Sequence, residues 1–234
     1  MKANKSLVVS LILSAVAVVC SIFTLFYCLL QNNSVKPDEE IFNENINKVV
    51  EIRGSNDNST WGYGTGCFID INGLILTNRH MVYSEAQAKY YDVIQVRLPT
   101  ENDFVDATVE RVSETDDIAT IKIAINSPSY FSLANGVSDG MEIYTLGNPK
   151  GFGLSFTKGN VSSKLRNVTY NGKTMQAMQT SLIVNEGNSG GPVFDKDGKL
   201  VGVVSFRLRD ENADVIQGVS FCVPLHIIKT FINN

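Results

Sequence analysis

Cys67-Phe68-Ile69-Asp70-Ile71-Asn72-Gly73-Leu74-Ile75-Leu76-Thr77 sets two apolar runs on either side of Asn-Gly. Asn and Gly accept positive φ most cheaply, and a tight hairpin turn demands it. The stretch therefore predicts a β-hairpin. Upstream, Gly62, Gly64 and Gly66 lead into its first arm, and Val50-Glu51-Ile52 precedes a polar loop from Gly54 to Thr60. Downstream, short apolar or alternating runs recur at 93–98, 106–112, 118–125, 142–146, 159–165, 173–180, 200–206 and 215–223. Residues 41–49 allow a short helix at most, and 225–231 a terminal one. Many short strands with Gly and Asn turns and few helices argue an all-β sandwich or pair of barrels.

Residues 6–30 carry no charge. A helix needs about 20 apolar residues to cross a bilayer, whereas a cleaved signal has an apolar core of about 7–15 ending in small residues. This run is longer and ends in the bulky Phe26-Tyr27-Cys28-Leu29-Leu30, so it reads as a transmembrane helix. Lys2 and Lys5 precede it, while Asp38, Glu39 and Glu40 follow Lys36 beyond it. Positive charge stays on the cytoplasmic side. The expected layout is a cytoplasmic terminus at 1–5, a single-pass membrane anchor at 6–30, a linker at 31–40 and an extracytoplasmic domain at 41–234. A net charge of −4 without any basic block argues against nucleic acid as a partner. Cysteines at 20, 28, 67 and 222 and two histidines have no metal-ligand spacing, so neither metal nor cofactor is expected.

Asn185-Glu186-Gly187-Asn188-Ser189-Gly190-Gly191-Pro192-Val193 places three glycines around one serine. Such a bend can expose the hydroxyl. It can also turn the amides of Gly187 and Ser189 toward one point, where a carbonyl oxygen becomes negative during acyl transfer. Taken alone, the turn reads equally as a plain glycine-rich hairpin. A serine nucleophile needs a base within hydrogen-bond reach, and the base needs an orienting group. His80 follows the strand ending at Thr77, and His226 lies near the C-terminus. Asp117 opens the apolar run Asp117-Ile118-Ala119-Thr120-Ile121-Lys122-Ile123, and its neighbour Asp116 reads as solvated.

In order, Thr77-Asn78-Arg79-His80-Met81-Val82, Asp117-Ile118-Ala119 and Gly187-Asn188-Ser189-Gly190-Gly191-Pro192 resemble the trypsin-like serine proteases of the HtrA/DegP type. Gly64-Thr65-Gly66-Cys67-Phe68-Ile69 is similar to that family's glycine-rich first strand. Leu146-Gly147-Asn148-Pro149-Lys150-Gly151-Phe152-Gly153 with Gly159-Asn160-Val161-Ser162, and Gly218-Val219-Ser220-Phe221-Cys222-Val223-Pro224, match two further stretches. The resemblance covers roughly 41–234. It implies two six-stranded antiparallel β-barrels with the site in the cleft between them. It assigns His80 as general base, Asp117 as its orienter, Ser189 as nucleophile, and the Gly187 and Ser189 amides as the oxyanion hole. Ile183, Val184, Ser205, Phe206 and Arg207 would line or pair with the substrate. Protein or peptide segments would be the substrates and protein quality control the role, with a homo-trimer as the family's frequent assembly.

Departures from the family pattern shape further expectations. Asn188 replaces the aspartate that pairs with a freed N-terminus in digestive relatives, so activation by N-terminal insertion is not expected. Glu186 stands where relatives usually have proline. Loops at 147–157 and 166–173 are candidates for opening and closing the oxyanion hole. The family's PDZ domain does not follow within these 234 residues, so PDZ-style sensing is expected from another protein or not at all. No aspartate or histidine is expected at the pocket base, which favours small or medium aliphatic residues before the cleaved bond. Arg207 reads as a solvated strand-end charge. Cys67 and Cys222 would lie in different barrels as buried free thiols. Asn58-Ser59-Thr60 and Asn167-Val168-Thr169 are glycosylation sequons in a eukaryotic source. Two other functions stay open beside a quality-control protease: a catalytically weak peptide-binding relative and a processing protease with a narrow substrate.

Overall fold

The computed structural model describes residues 5–31, 36–125, 128–170, 172–209 and 215–233. The chain divides into two compact units, Met1–Pro37 and Asp38–Asn234. The first holds one helix, α1 (Lys5–Gln31). Its apolar span, Leu7–Tyr27, has a mean hydropathy of 2.6, and none of its residues is buried within the protein. At 1.5 Å per residue those 21 residues reach about 32 Å, the thickness of a hydrocarbon core. The hydroxyls of Ser14, Ser21 and Thr24 donate to the carbonyls of Ser10, Ala17 and Cys20, one turn back. These three hydroxyls are thus satisfied inside the helix, as an apolar surrounding requires.

The second unit opens with α2 (Asp38–Asn45), whose first turn is Asp38, Glu39 and Glu40. Acidic residues there complement the helix dipole, and the helix starts three residues before the apolar run that signalled it. Ile41 anchors it in the core at 1% exposure. Then come β1 (Val49–Ser55), β2 (Gly62–Phe68) and β3 (Leu74–Thr77). The hairpin forms with Cys67 opposite Leu76 and Phe68 opposite Ile75, and its turn is the four-residue loop Asp70 to Gly73 rather than Asn-Gly alone, with Gly73 at φ +84°. Asp70 Oδ1 caps its turn by accepting the amides of Asn72 and Leu74 at 2.9 and 2.8 Å. A small ribbon, β4 (Tyr83–Ser84) with β5 (Lys89–Tyr90), precedes β6 (Val93–Arg97), β7 (Val105–Asp106), β8 (Thr108–Val112) and β9 (Ala119–Lys122).

The first sheet runs β7-β6-β1-β2-β3-β9-β8. Only Ala107 separates β7 from β8, and its amide still bonds the Ile94 carbonyl at 2.9 Å. The two are one bent strand that closes a six-stranded barrel. The second barrel comprises β11 (Glu142–Gly147), β12 (Ser155–Tyr170), β13 (Lys173–Thr180), β14 (Pro192–Phe194), β15 (Lys199–Arg209) and β16 (Val215–Pro224), with the short β10 (Ser132–Leu133) added parallel to β15. Pairing of β15 with β16 closes that ring, again of six strands. Helix α3 (Leu225–Asn233) ends the unit. Residues 166–170, expected within a mobile loop, are instead strand, paired from Arg166 opposite Ala177 to Tyr170 opposite Lys173.

Strand alternation builds three cores. Val50, Ile52, Phe68 and Ile75 point into the first barrel. Val161, Met178 and Val204 fill the second, joined by Val201, which a bulge in β15 opposite Val193 and Phe194 turns to the same side. Their neighbours Val49, Cys67, Leu76, Tyr144 and Leu146 face the opposite way and, with Ile41, Ile228 and Phe231 from the two helices, make the seam between the barrels. Cys67 belongs to the seam and Cys222 to the second barrel; both are buried free thiols.

Candidate active site

One cavity of about 610 Å³ opens where the barrels meet, lined by His80, Asp117, Ser189, Val184, Ser205, Phe206 and Arg207 among others. His80 lies in a single 3-10 turn, Arg79–Met81, directly after β3. Asp117 precedes β9, the strand hydrogen-bonded to β3, so sheet register brings the two side chains together. His80 Nδ1 lies 3.0 and 2.9 Å from the two Asp117 carboxylate oxygens. The His80 backbone N–H donates to Asp117 Oδ1 at 3.1 Å, the Ser205 hydroxyl donates to Oδ2, and Asn78 Nδ2 holds the Asp117 carbonyl at 2.9 Å. Loss of water would lift Asp117, but His80 and these donors more than offset it and hold the carboxyl below its ordinary 3.8. Loss of water would lower His80, and the Asp117 charge and hydrogen bond override it, holding the imidazole above 6.5. The His80 side chain keeps 42% of its surface exposed at the cavity rim.

Ser189 comes from the other barrel, on the turn before β14. Its hydroxyl donates to the Ser205 carbonyl at 3.2 Å, and among the described residues no hydrogen bond joins it to the His80 ring. The turn is tied at each carbonyl. Lys150 N–H reaches the Glu186 oxygen at 2.7 Å, the Thr65 hydroxyl the Gly187 oxygen at 2.7 Å, and Thr65 N–H the Ser189 oxygen at 2.8 Å. Gly187 has φ +96°, and a Cβ there would stand 2.0 Å from the Asn148 carbonyl; only glycine fits. Gly190, at φ +83°, presses as closely on the Thr65 carbonyl. Because a trans peptide points C=O and N–H to opposite sides, the Gly187 amide faces away from Lys150. Among the described residues, the Gly187 and Ser189 amides donate to no protein acceptor, while Asn188, Gly190 and Gly191 all do.

The residues singled out along the walls divide. Val184, Ser205, Phe206 and Arg207 line the cavity. Ile183 does not: it is 58% exposed, because consecutive residues of an extended segment face opposite ways and Val184 takes the inner side. Arg207 is not a solvated strand-end charge. It is 17% exposed and straps the serine turn, donating to Asn185 Oδ1 and Glu186 Oε1 at 3.1 Å each. Sequence reading missed Ser205 as a partner of Asp117, missed Thr65 and Lys150 as ties on the turn, and missed Ala177, Cys222 and Ile227 in the wall. His226 pairs with Gln176 at 2.9 Å. Among the described residues no three His, Cys, Asp or Glu side chains gather as a metal site.

Residues 64–203 match the family described as trypsin-like peptidase domain. Over 174 residues, 72% of this chain, the sequence is 34% identical to "Serine protease HTRA2, mitochondrial" of Drosophila erecta and 33% identical to the protein of that name from Drosophila virilis. The chain spans about 38% of the length of those curated relatives. Among solved structures, the HtrA-type protease AlgW with tripeptide superposes with a TM-score of 0.71 at 23% identity, covering 82% of this chain and 61% of the other. A second AlgW structure with tripeptide, of a variant, gives the same TM-score at 22% identity and covers 84% and 62%. With two six-stranded barrels, a match across most of both and a third of positions shared with named relatives, the chain belongs to the HtrA-type trypsin-like serine proteases.

Proposed function

We propose that this protein is a membrane-anchored serine endopeptidase that acts outside the cytoplasm on unstructured protein segments, in protein quality control. The observation that carries the reading is His80 Nδ1 held between both Asp117 oxygens while Ser189 shares its cavity. Ser189 Oγ attacks the peptide carbonyl as His80 takes its proton, and Asp117 steadies the resulting imidazolium. The unspent amides of Gly187 and Ser189 receive the oxyanion. His80 then hands its proton to the departing amine. Water, activated by His80 in turn, releases the acyl group from Ser189 and restores the hydroxyl. Residues Ser205, Phe206 and Arg207, on the cavity side of β15, pair with the substrate backbone as an added strand. Val184, Val204, Ala177 and Cys222 make an apolar wall suited to an aliphatic side chain. Helix α1 carries the membrane attachment, with Lys2 and Lys5 on the cytoplasmic side. Homotrimeric assembly belongs to the same reading, by resemblance to the family.

The hydrogen bond from Ser189 to the Ser205 carbonyl favours a second reading, a peptide-binding relative with a resting serine. Exchanging one such neutral bond costs only about 0.5–1.5 kcal/mol, so it does not hold the hydroxyl against a bound substrate. Fluorophosphonate labelling of the full chain in detergent, mapped by mass, separates the two. One adduct on Ser189, absent in Ser189→Ala and His80→Ala, is the expected result. No adduct in the presence of an unfolded protein substrate, with binding retained, would establish the peptide-binding reading instead.

A further inference from the structure

Glu51 on β1 is 5% exposed, and a buried carboxylate must be paired. Its cross-strand neighbours are Arg97 on β6 and Thr65 on β2. Directly opposed residues share a sheet face, so Arg97, Glu51 and Thr65 form one row on the first barrel. Arg97 meets the carboxylate with two bonds, Nε to Oε1 at 3.2 Å and a terminal nitrogen to Oε2 at 2.9 Å. Oε2 also accepts from Asn148 Nδ2, a residue of the second barrel with no exposed surface.

Asn148 in turn fixes the loop after β11. Its Oδ1 accepts the Gly153 amide at 2.8 Å, and its own amide donates to the Thr65 hydroxyl at 3.0 Å. That contact leaves the Thr65 proton for the Gly187 carbonyl at 2.7 Å. Two residues beyond Asn148, the Lys150 amide holds the Glu186 carbonyl at 2.7 Å. Two successive peptide planes of the serine turn are therefore oriented by groups that Glu51 and its row hold in place. Neither Glu51 nor Asn148 lines the cavity.

We propose that Glu51 is a positioning residue which, through Asn148 and Thr65, sets the direction of the Gly187 amide; the inference deepens the peptidase reading above and rests on it. An ionised carboxylate accepts from Arg97 and Asn148 together. A glutamine there has one acceptor oxygen and an NH₂ that must face one of two donors, so Glu51→Gln breaks the row with almost no change of volume. Arg97 retains 28% exposure and stacks on Phe104 at 4.8 Å, so its released charge is solvated without unfolding the barrel.

The test compares wild type, Glu51→Gln and Asn148→Ala as full chains in detergent. It reads kcat and KM on a peptide, the fluorophosphonate labelling rate, and hydrogen exchange at residues 147–153 and 185–191. Loss of one oxyanion donor costs about 10²–10³ in turnover, and a misdirected donor costs part of that. The expected result is kcat and labelling lowered about tenfold to a hundredfold, KM within about twofold, and faster exchange in both segments. Folded variants with wild-type kcat and exchange, or with a loss confined to KM, overturn the proposal. If Glu51→Gln fails to fold, Asn148→Ala decides by the same readouts. A wild type that never labels sinks the peptidase reading; faster exchange at 185–191 in the variants would then still support the positioning role, and unchanged exchange would overturn it.

Discussion

Asp117→Asn removes charge at nearly fixed shape. Oδ1 of Asp117 accepts the His80 backbone N–H at 3.1 Å, and Oδ2 accepts the Ser205 hydroxyl. A backbone N–H can only donate, so an asparagine must keep its oxygen at the Oδ1 position. Its NH₂ then takes the Oδ2 position, 2.9 Å from His80 Nδ1. Two N–H donors cannot share that contact, and Oδ1, 3.0 Å from the ring, is already engaged by the His80 backbone N–H, so the ring proton is drawn to Nε2. Nε2, the nitrogen left to serve Ser189, is then unable to accept a proton. Loss of the working tautomer costs about 10⁴ in turnover for this mechanism, or about 5.4 kcal/mol at about 1.36 kcal/mol per tenfold. The profile shifts too. On the proposed mechanism, wild-type activity is expected to rise with pH through the His80 pKa, which lies above 6.5. In the variant the raising influences are gone while the loss of water remains, so the residual activity rises at lower pH. Peptide hydrolysis and phosphonate labelling across about pH 5 to 9 read both effects. A variant within tenfold of wild-type kcat, where His80→Ala is inactive, would refute the assignment of Asp117 as the orienting group.

The same pair has a signature in stability. The raised His80 contributes fully below its unfolded 6.5 and fades as pH climbs through its folded value, while the lowered Asp117 contributes fully above 3.8 and fades as pH drops through its folded value. The melting-temperature gap between wild type and His80→Ala is thus expected to be widest between 3.8 and 6.5; a gap that grows steadily above that window contradicts it. Burial pushes the Cys222 thiol up to about 12, and Cys67 is raised further by the same cause. Iodoacetamide at about pH 8 should therefore leave both unmodified in the native protein and alkylate both after denaturation, as peptide mapping would register.

Local chemistry made the hairpin and the serine turn legible. Asn-Gly dictates a turn whatever surrounds it, and three glycines around one serine can be recognised without knowing what packs on them. Phase was harder to read. Leu182-Ile183-Val184 is apolar throughout, so the run does not reveal which side chain faces the cavity; the extended backbone chooses Val184 and turns Ile183 outward. The loop signal at 166–173 failed because polar residues on an exposed ribbon look like a loop, whereas their pairing partners on β13 decide the matter. Ser205 on Asp117 spans 88 residues and Asn148 on Glu51 spans 97. Such contacts are set by how two closed sheets meet, and no local pattern announces them.

That meeting is also what gives the site its chemistry. His80 and Asp117 belong to the first barrel, Ser189 and Ser205 to the second, so the distance between imidazole and hydroxyl is a property of the seam. A seam of apolar side chains alone resists separation but slides cheaply, since burial is non-directional. Hydrogen bonds are directional, and those that cross the seam beside the cavity are Ser205 to Asp117, Thr65 to Gly187 and Ser189, and Asn148 to Glu51 and Thr65. Each ends on a group argued above to hold the His80 imidazole, the serine turn or the loop behind it. The apolar seam therefore supplies the cohesion between the barrels, and these polar ties supply their registration.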